Sequence, residues 1–182
     1  MRIAIIGPQN TGKSTFLADL MEQYPDYVTP TETYRDLVIK KGLKINQETG
    51  EESQRAIRDF LYDQVRTETR PNVFFDRTLI DNYVYTALAC ERGVVSEGLR
   101  SVTERMMFES LALLDRLFFV PTAVSVPLHD DLLRDIDVAF IDATNRMFVT
   151  TLLDVARHHE IPIDVISGTR TERVAVARKI MS

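Results

Sequence analysis

Apolar positions along the chain switch repeatedly between two periods. Arg2-Ile3-Ala4-Ile5-Ile6 is an almost unbroken apolar run, rich in β-branched residues and halted by Gly7-Pro8. That pattern suits a central parallel strand buried on both faces. Phe16, Leu17, Leu20 and Met21 then recur at helical spacing. Tyr27-Val28-Thr29, closed by Pro30, reads as a weak second strand, and Thr31 to Lys41 as a helix stopped by Gly42. The polar stretch from Asn46 to Ser53 reads as a loop. Glu51 to Arg70 is charged on one side and apolar at Ile57, Phe60, Leu61 and Val65, an amphipathic helix ended by Pro71.

The same alternation continues to the end. Asn72-Val73-Phe74-Phe75-Asp76 is a third strand with an acid at its carboxyl end. Thr78 with Asp81 resembles a capping box for a helix through Glu91, and Glu97 to Asp115 forms another helix. Leu117-Phe118-Phe119-Val120 and Ile163-Asp164-Val165-Ile166 are the fourth and fifth strands. Between them lie a polar stretch, Pro127 to Asp137, and a helix from Val138 to His159. Thr169 with Glu172 opens a last helix to Ile180. Strands alternating with helices predict an α/β fold with a mostly parallel sheet. At 182 residues the chain fits one domain, residues 1–182.

Composition narrows the class. A formal net charge of -5 argues against a protein that coats phosphate backbones, so nucleic acid is an unlikely partner. The single cysteine, Cys90, excludes an intramolecular disulfide and agrees with a reducing compartment; its apolar neighbours make it a small buried hydrophobe. The first apolar run ends too early for a signal peptide, and no stretch is long enough to span a membrane. A cytoplasmic location is expected. Oligomeric state is not readable from these patterns.

The strongest chemical signal is Gly7-Pro8-Gln9-Asn10-Thr11-Gly12-Lys13-Ser14, which fills every fixed position of G-x-x-x-x-G-K-[ST]. A glycine-rich turn into a helix lets backbone N–H groups and the helix dipole face a triphosphate. Gly7, Asn10, Thr11 and Gly12, with Lys13, Ser14 and Thr15 at the helix start, are therefore the expected nucleotide cradle. Lys13 supplies charge to the β- and γ-phosphates, and the Ser14 hydroxyl binds Mg²⁺. ATP and Mg²⁺ are the expected cofactors. No Asn-Lys-x-Asp segment occurs, nor does Asp76 begin an Asp-x-x-Gly switch, so a regulatory GTPase is disfavoured and small phosphotransferases stand in front.

Asp76 should project at the carboxyl end of the sheet, where such folds bind ligands. There it can hold Mg²⁺ or take the acceptor hydroxyl's proton, and Arg77 can clamp the acceptor or stabilise transferred charge. A helix-capping acid beside a surface arginine has the same local sequence. Phosphotransferases must also exclude water. The segment 127–137 lies where a lid is expected, with Arg134 as its electrostatic clamp. His129, His158 and His159 are not spaced as a metal set.

Phe75-Asp76-Arg77-Thr78-Leu79-Ile80-Asp81-Asn82-Tyr83 resembles the strand-Asp-Arg-[ST] signature of the P-loop nucleoside and nucleotide kinases. Asn10-Thr11 and the Glu-x-x-Arg run Glu32-Thr33-Tyr34-Arg35 are similar to the NadR-like, ribosylnicotinamide kinase-like branch of AAA-type ATPases and kinases. This resemblance implies a three-layer fold with five strands, in the order 2-3-1-4-5 when the runs are counted along the chain. It further implies that Glu32 holds a sugar hydroxyl and Arg35 an acceptor phosphate or carboxyl group. Gln54 would line the same pocket, and the turn Ser167-Gly168-Thr169-Arg170 would contact adenine. The expected function is Mg²⁺-dependent transfer of the γ-phosphoryl group of ATP to a nucleoside, ribosylnicotinamide being one case. A deoxynucleoside monophosphate kinase and a nucleotide-dependent regulatory ATPase are the alternatives.

Overall fold

The computed structural model of the chain describes residues 1–122 and 137–182. Strands β1 (Arg2–Ile6), β2 (Val73–Asp76), β3 (Arg116–Phe119) and β4 (Ile163–Val165) form one sheet in the order β2-β1-β3-β4. All three pairings are parallel. Seven helices connect and cover them: α1 (Lys13–Gln23), α2 (Tyr34–Lys41), α3 (Glu51–Thr67), α4 (Leu79–Glu91), α5 (Glu97–Leu111), α6 (Val138–His158) and α7 (Arg170–Met181).

The period of two in the strands decides which helix layer each residue meets. Ala4, Ile6, Val73, Phe75, Leu117 and Phe119 pack into a core with residues of α2 to α6. Ile3, Ile5, Phe74 and Phe118 face the other way, onto Phe16 and Leu20 of α1 and Ala177 of α7. Burial on both faces explains why these strands are continuously apolar rather than alternating.

The five-stranded expectation needs correction: the sheet has four strands among the described residues, and its order differs accordingly. Tyr27-Val28-Thr29 contributes only an isolated parallel bridge between Val28 and Val73. Val28 donates to the Asn72 carbonyl and accepts from Phe74 N–H, at 3.0 and 2.9 Å. The next rung of a parallel ladder would require an N–H at position 30. Pro30 has none, so pairing stops after one residue.

Local signals set the helix starts. Capping boxes occur at Thr33/Asp36, Thr78/Asp81 and Thr169/Glu172, each satisfying N–H groups that a helix end leaves open. The first of these delays α2 to Tyr34, three residues after the position suggested by periodicity. Cys90 is half-buried rather than buried, and its Sγ lies 2.9 Å from a carboxylate oxygen of Glu97. No described helix is long and apolar enough to cross a membrane. The expected lid and its Arg134, together with His129, lie outside the described residues. Asp137 is described and caps α6 by accepting from Phe140 N–H at 3.1 Å.

Candidate nucleotide and acceptor site

The phosphate loop joins the end of β1 to the start of α1, at the carboxyl edge of the sheet where parallel α/β folds place their ligands. Its backbone is unusual at three points: Gly7 (φ 142°), Asn10 (φ 58°) and Gly12 (φ 81°). Gly7 is fixed by close approach as well as dihedral angle. A side chain there would begin 2.2 Å from the Val120 carbonyl oxygen. Asn10 occupies the left-handed region that asparagine tolerates better than most residues.

Lys13 is 6% exposed, and its ammonium donates to the Gly7 carbonyl at 2.7 Å and to the Pro8 carbonyl. Thr11 Oγ1 also donates to Pro8, at 3.1 Å. The lysine thus lies along the inner side of the loop, in the place from which it can reach a polyphosphate. Ser14 and Thr15 follow it, exposed, at the positive end of α1.

A cavity of about 640 Å³ opens onto this loop. Asn10, Thr11, Gly12, Lys13, Ser14 and Thr15 all line it, as do Asp76, Arg77 and Arg35. The sequence-predicted donor residues and the strand-end pair therefore share one space. Glu32 is not brought into it; that carboxylate is exposed and pairs with Lys40 at 3.5 Å. Gln54 lies behind the cavity, buried between α3 and α4. It donates to Thr49 Oγ1 (2.8 Å) and accepts from Asn82 Nδ2 (2.8 Å) and Thr86 Oγ1 (3.0 Å). It borders a small neighbouring void of about 20 Å³ with Tyr34, Arg77 and Tyr85. Gly168, Thr169 and Arg170, the turn expected near adenine, do line the main cavity.

Asp76 ends β2 opposite Ile5, half-buried, and makes no hydrogen bond with a described residue. The capping of α4 belongs instead to Thr78 and Asp81, which removes the competing account of Asp76 as a helix cap. Asp76 and the Ser14 hydroxyl both face the cavity as hard oxygen donors. Mg²⁺ typically binds through one or two protein oxygens with phosphates and water completing its shell. These two groups fit that requirement. No cluster of three or more His, Cys, Asp or Glu side chains able to hold a metal occurs among the described residues.

Arg77 has φ 74°, a left-handed conformation costly for a bulky residue. Tertiary contacts hold it there. Its N–H donates to Ile5 O at 3.1 Å, and its guanidinium lies 5.0 Å from the Tyr34 ring centroid and 5.9 Å from that of Tyr85. Nη1 is 3.3 Å from Asp81 Oδ1.

Three residues absent from the sequence reading of the site complete it. Asp81, 1% exposed, accepts from Thr78 N–H (3.1 Å) and from Gly7 N–H (3.3 Å) while pairing with Arg77. Burial pushes its carboxyl upward, against the pull of Arg77, Lys13 and the two backbone donors. Tyr85, pushed up to about 12 chiefly by burial, keeps its proton and donates it to Gln9 Oε1. Arg173 of α7 donates to Thr11 O at 2.6 Å and to Gly168 O at 3.0 Å. Asp81 was visible in sequence only as a capping residue. Gln9 sat at a variable motif position, and nothing local marks Arg173.

Comparison with known proteins agrees with this geometry. An AAA domain family matches residues 2–173. No curated protein matches in sequence. Deoxyadenosine kinase from M. mycoides, with products dCMP and a flexible dCDP bound, superposes with a TM-score of 0.71 at 16% identity, covering 100% of this chain and 99% of that one. NadR in complex with NR gives 0.72 at 15% identity over 98% of this chain and 50% of that one, so the chain spans half of NadR's length. Thymidylate kinase from Candida albicans gives 0.66 at 16% identity, covering 98% and 89%. At these identities the likeness concerns the fold. The chain belongs to the AAA domain family and has the P-loop nucleoside and nucleotide kinase fold.

Proposed function

We propose that this protein is a magnesium-dependent kinase that transfers the γ-phosphoryl group of ATP to the hydroxyl of a nucleoside. The observation that carries the reading is the shared cavity: the phosphate loop with Lys13 and Ser14 opens into the same space as Asp76, Arg77 and Arg35. Phosphoryl transfer asks little covalent chemistry of a protein and much positioning and charge compensation. This arrangement supplies both.

Lys13 would leave the Gly7 and Pro8 carbonyls for the phosphates, while the N–H groups at the start of α1 receive their oxygens. Bound Mg²⁺, held by Ser14 and Asp76 with phosphate oxygens, would neutralise charge on the transferring group. Asp76 is also the group placed to accept the proton of the attacking hydroxyl. Arg77, braced by Tyr34, Tyr85 and Asp81, orients the acceptor. Glu32 enters this scheme only if α2 moves, since it points to Lys40; Arg134 is the proposed lid clamp.

Ribosylnicotinamide is one candidate acceptor. The sequence signature resembles the NadR-like branch, and NadR has been seen with NR. A deoxynucleoside monophosphate is the second, favoured by the presence of two arginines, Arg35 and Arg77, in one cavity. A regulatory ATPase is the third reading. Incubation with ATP, Mg²⁺ and a panel of nucleosides and monophosphates separates them. A phosphorylated nucleoside supports the first reading and a diphosphate product the second. Slow hydrolysis with no acceptor product across the panel would remove both kinase readings.

A further inference from the structure

Arg173 is 4% exposed, yet its neighbours do not neutralise it. Nε donates to the Gly168 carbonyl and Nη1 to the Thr11 carbonyl, while Nη2 is buried with no hydrogen-bond partner. The acidic groups on adjoining turns are committed elsewhere. Glu172 accepts from Thr169 N–H and Oγ1, at 2.7 and 2.8 Å, and Asp19 holds Arg170. No carboxylate pairs with Arg173 among the described residues. A buried cation bonded to neutral carbonyls alone is costly, and buried charges are normally paired.

Its position raises that cost. Nη1 lies 3.2 Å from where a side chain on Gly12 would begin, and Gly12 is the N-cap of α1. The guanidinium therefore stands beside the positive end of a helix dipole, where a cation is disfavoured and an anion is stabilised. Arg173 also lines the nucleotide cavity, between the phosphate loop and the Gly168 turn.

We propose that Arg173 is a ligand of the donor nucleotide's phosphate chain, using its spare Nη2 on the phosphates nearer the nucleoside. Lys13 reaches the phosphates from the Gly7-Pro8 side of the loop and Arg173 from the Thr11-Gly12 side. The phosphate chain supplies the counter-ion that the folded protein withholds. Because the same guanidinium holds Thr11 and Gly168, it also ties α7 to the loop, so nucleotide occupancy and the seating of α7 are linked. The inference rests on the nucleotide-binding part of the proposed function, not on the identity of the acceptor.

Binding of MgADP, MgATP and adenosine to the full chain tests it, with no acceptor present. Arg173→Met should weaken ADP and ATP alike, by about ten-fold or more, the usual scale of a hydrogen bond to a charged group. Adenosine binding should not change, and Arg173→Lys should recover part of the loss. Unchanged ADP binding in Arg173→Met would overturn the proposal. So would an equal loss of adenosine and ADP, which would make Arg173 a strut for the loop. If the methionine variant does not fold, Arg173→Gln, neutral but still able to donate to one carbonyl, carries the same expectations. A chain that binds ADP through Arg173 but phosphorylates no nucleoside would fail the kinase reading and leave this inference intact.

Discussion

The Asp81 carboxylate accepts a hydrogen bond from the Gly7 backbone N–H, 3.3 Å away and 74 residues earlier in the chain. This one contact fastens the first glycine of the phosphate loop to the first turn of α4. Asp81 also accepts from Thr78 N–H and pairs with Arg77, so the donor and acceptor halves of the cavity meet at a single buried carboxylate.

Asp81→Asn tests that junction. The amide retains one acceptor oxygen where two were in use, and its NH₂ group is turned toward a donor. Stability should fall by about 2–4 kcal/mol, the range for breaking a buried charged pair. Nucleotide affinity should fall with it, because the loop loses its anchor. Urea unfolding and ADP binding check the two effects; an unchanged unfolding midpoint would show that Asp81 is only a replaceable helix cap.

Asp76→Asn separates chemistry from folding. Asp76 makes no hydrogen bond with a described residue and lines the cavity, so its charge has little structural work. Turnover should drop by about 10²-fold or more, the scale of losing a general base, while the melting temperature stays within a degree or two of wild type on the scale of surface substitutions. The informative readout is the pair of measurements. A fall in stability with turnover preserved would reverse the assignment.

Lys13→Ala should behave differently from both. The ammonium is buried against backbone carbonyls, so its removal relieves a desolvated charge while deleting the main side-chain cation at the phosphates. Affinity for MgATP should collapse, by roughly 10²-fold at least for charge-assisted contacts, with thermal stability unchanged or slightly raised. Calorimetric titration beside a melting curve decides it. Retained MgATP affinity would mean that the backbone alone holds the phosphates.

A pH effect remote from the site follows from Glu68, which Arg70 engages at 2.5 Å. That contact, with further backbone hydrogen bonds, holds the Glu68 carboxyl at about 2, below its ordinary 4.5. Between those values the unfolded chain binds more protons than the folded one. The stabilisation is therefore full above the ordinary glutamate range and is lost as the pH falls toward 2. Arg70 is close to half exposed, so the contribution is no more than about 1 kcal/mol. Acid unfolding of Glu68→Gln should begin from a lower plateau and show a shallower dependence on pH over that window. Curves that merely shift in parallel would count against it.

The sequence by itself determined the features that depend on neighbours along the chain. The phosphate loop is a local grammar of glycines and a lysine. The capping residues Thr78/Asp81 and Thr169/Glu172 act over three residues, and the apolar runs of β1 to β3 report burial on both faces. Helix positions followed for the same reason, with ends displaced where a cap such as Thr33/Asp36 outweighed periodicity. Tyr27-Val28-Thr29 marks the boundary of that legibility: its composition suits a strand, but pairing needs an N–H at each rung facing a neighbour whose position only the sheet defines, and Pro30 stops it. Strand order, the Asp81–Gly7 contact, the enclosure of Arg77 by Tyr34 and Tyr85, and the reach of Arg173 to Thr11 across 162 positions are decided by tertiary structure alone. Hydrogen bonds and ion pairs between distant segments leave no periodicity in the chain, because their geometry exists only after the core has brought the segments together.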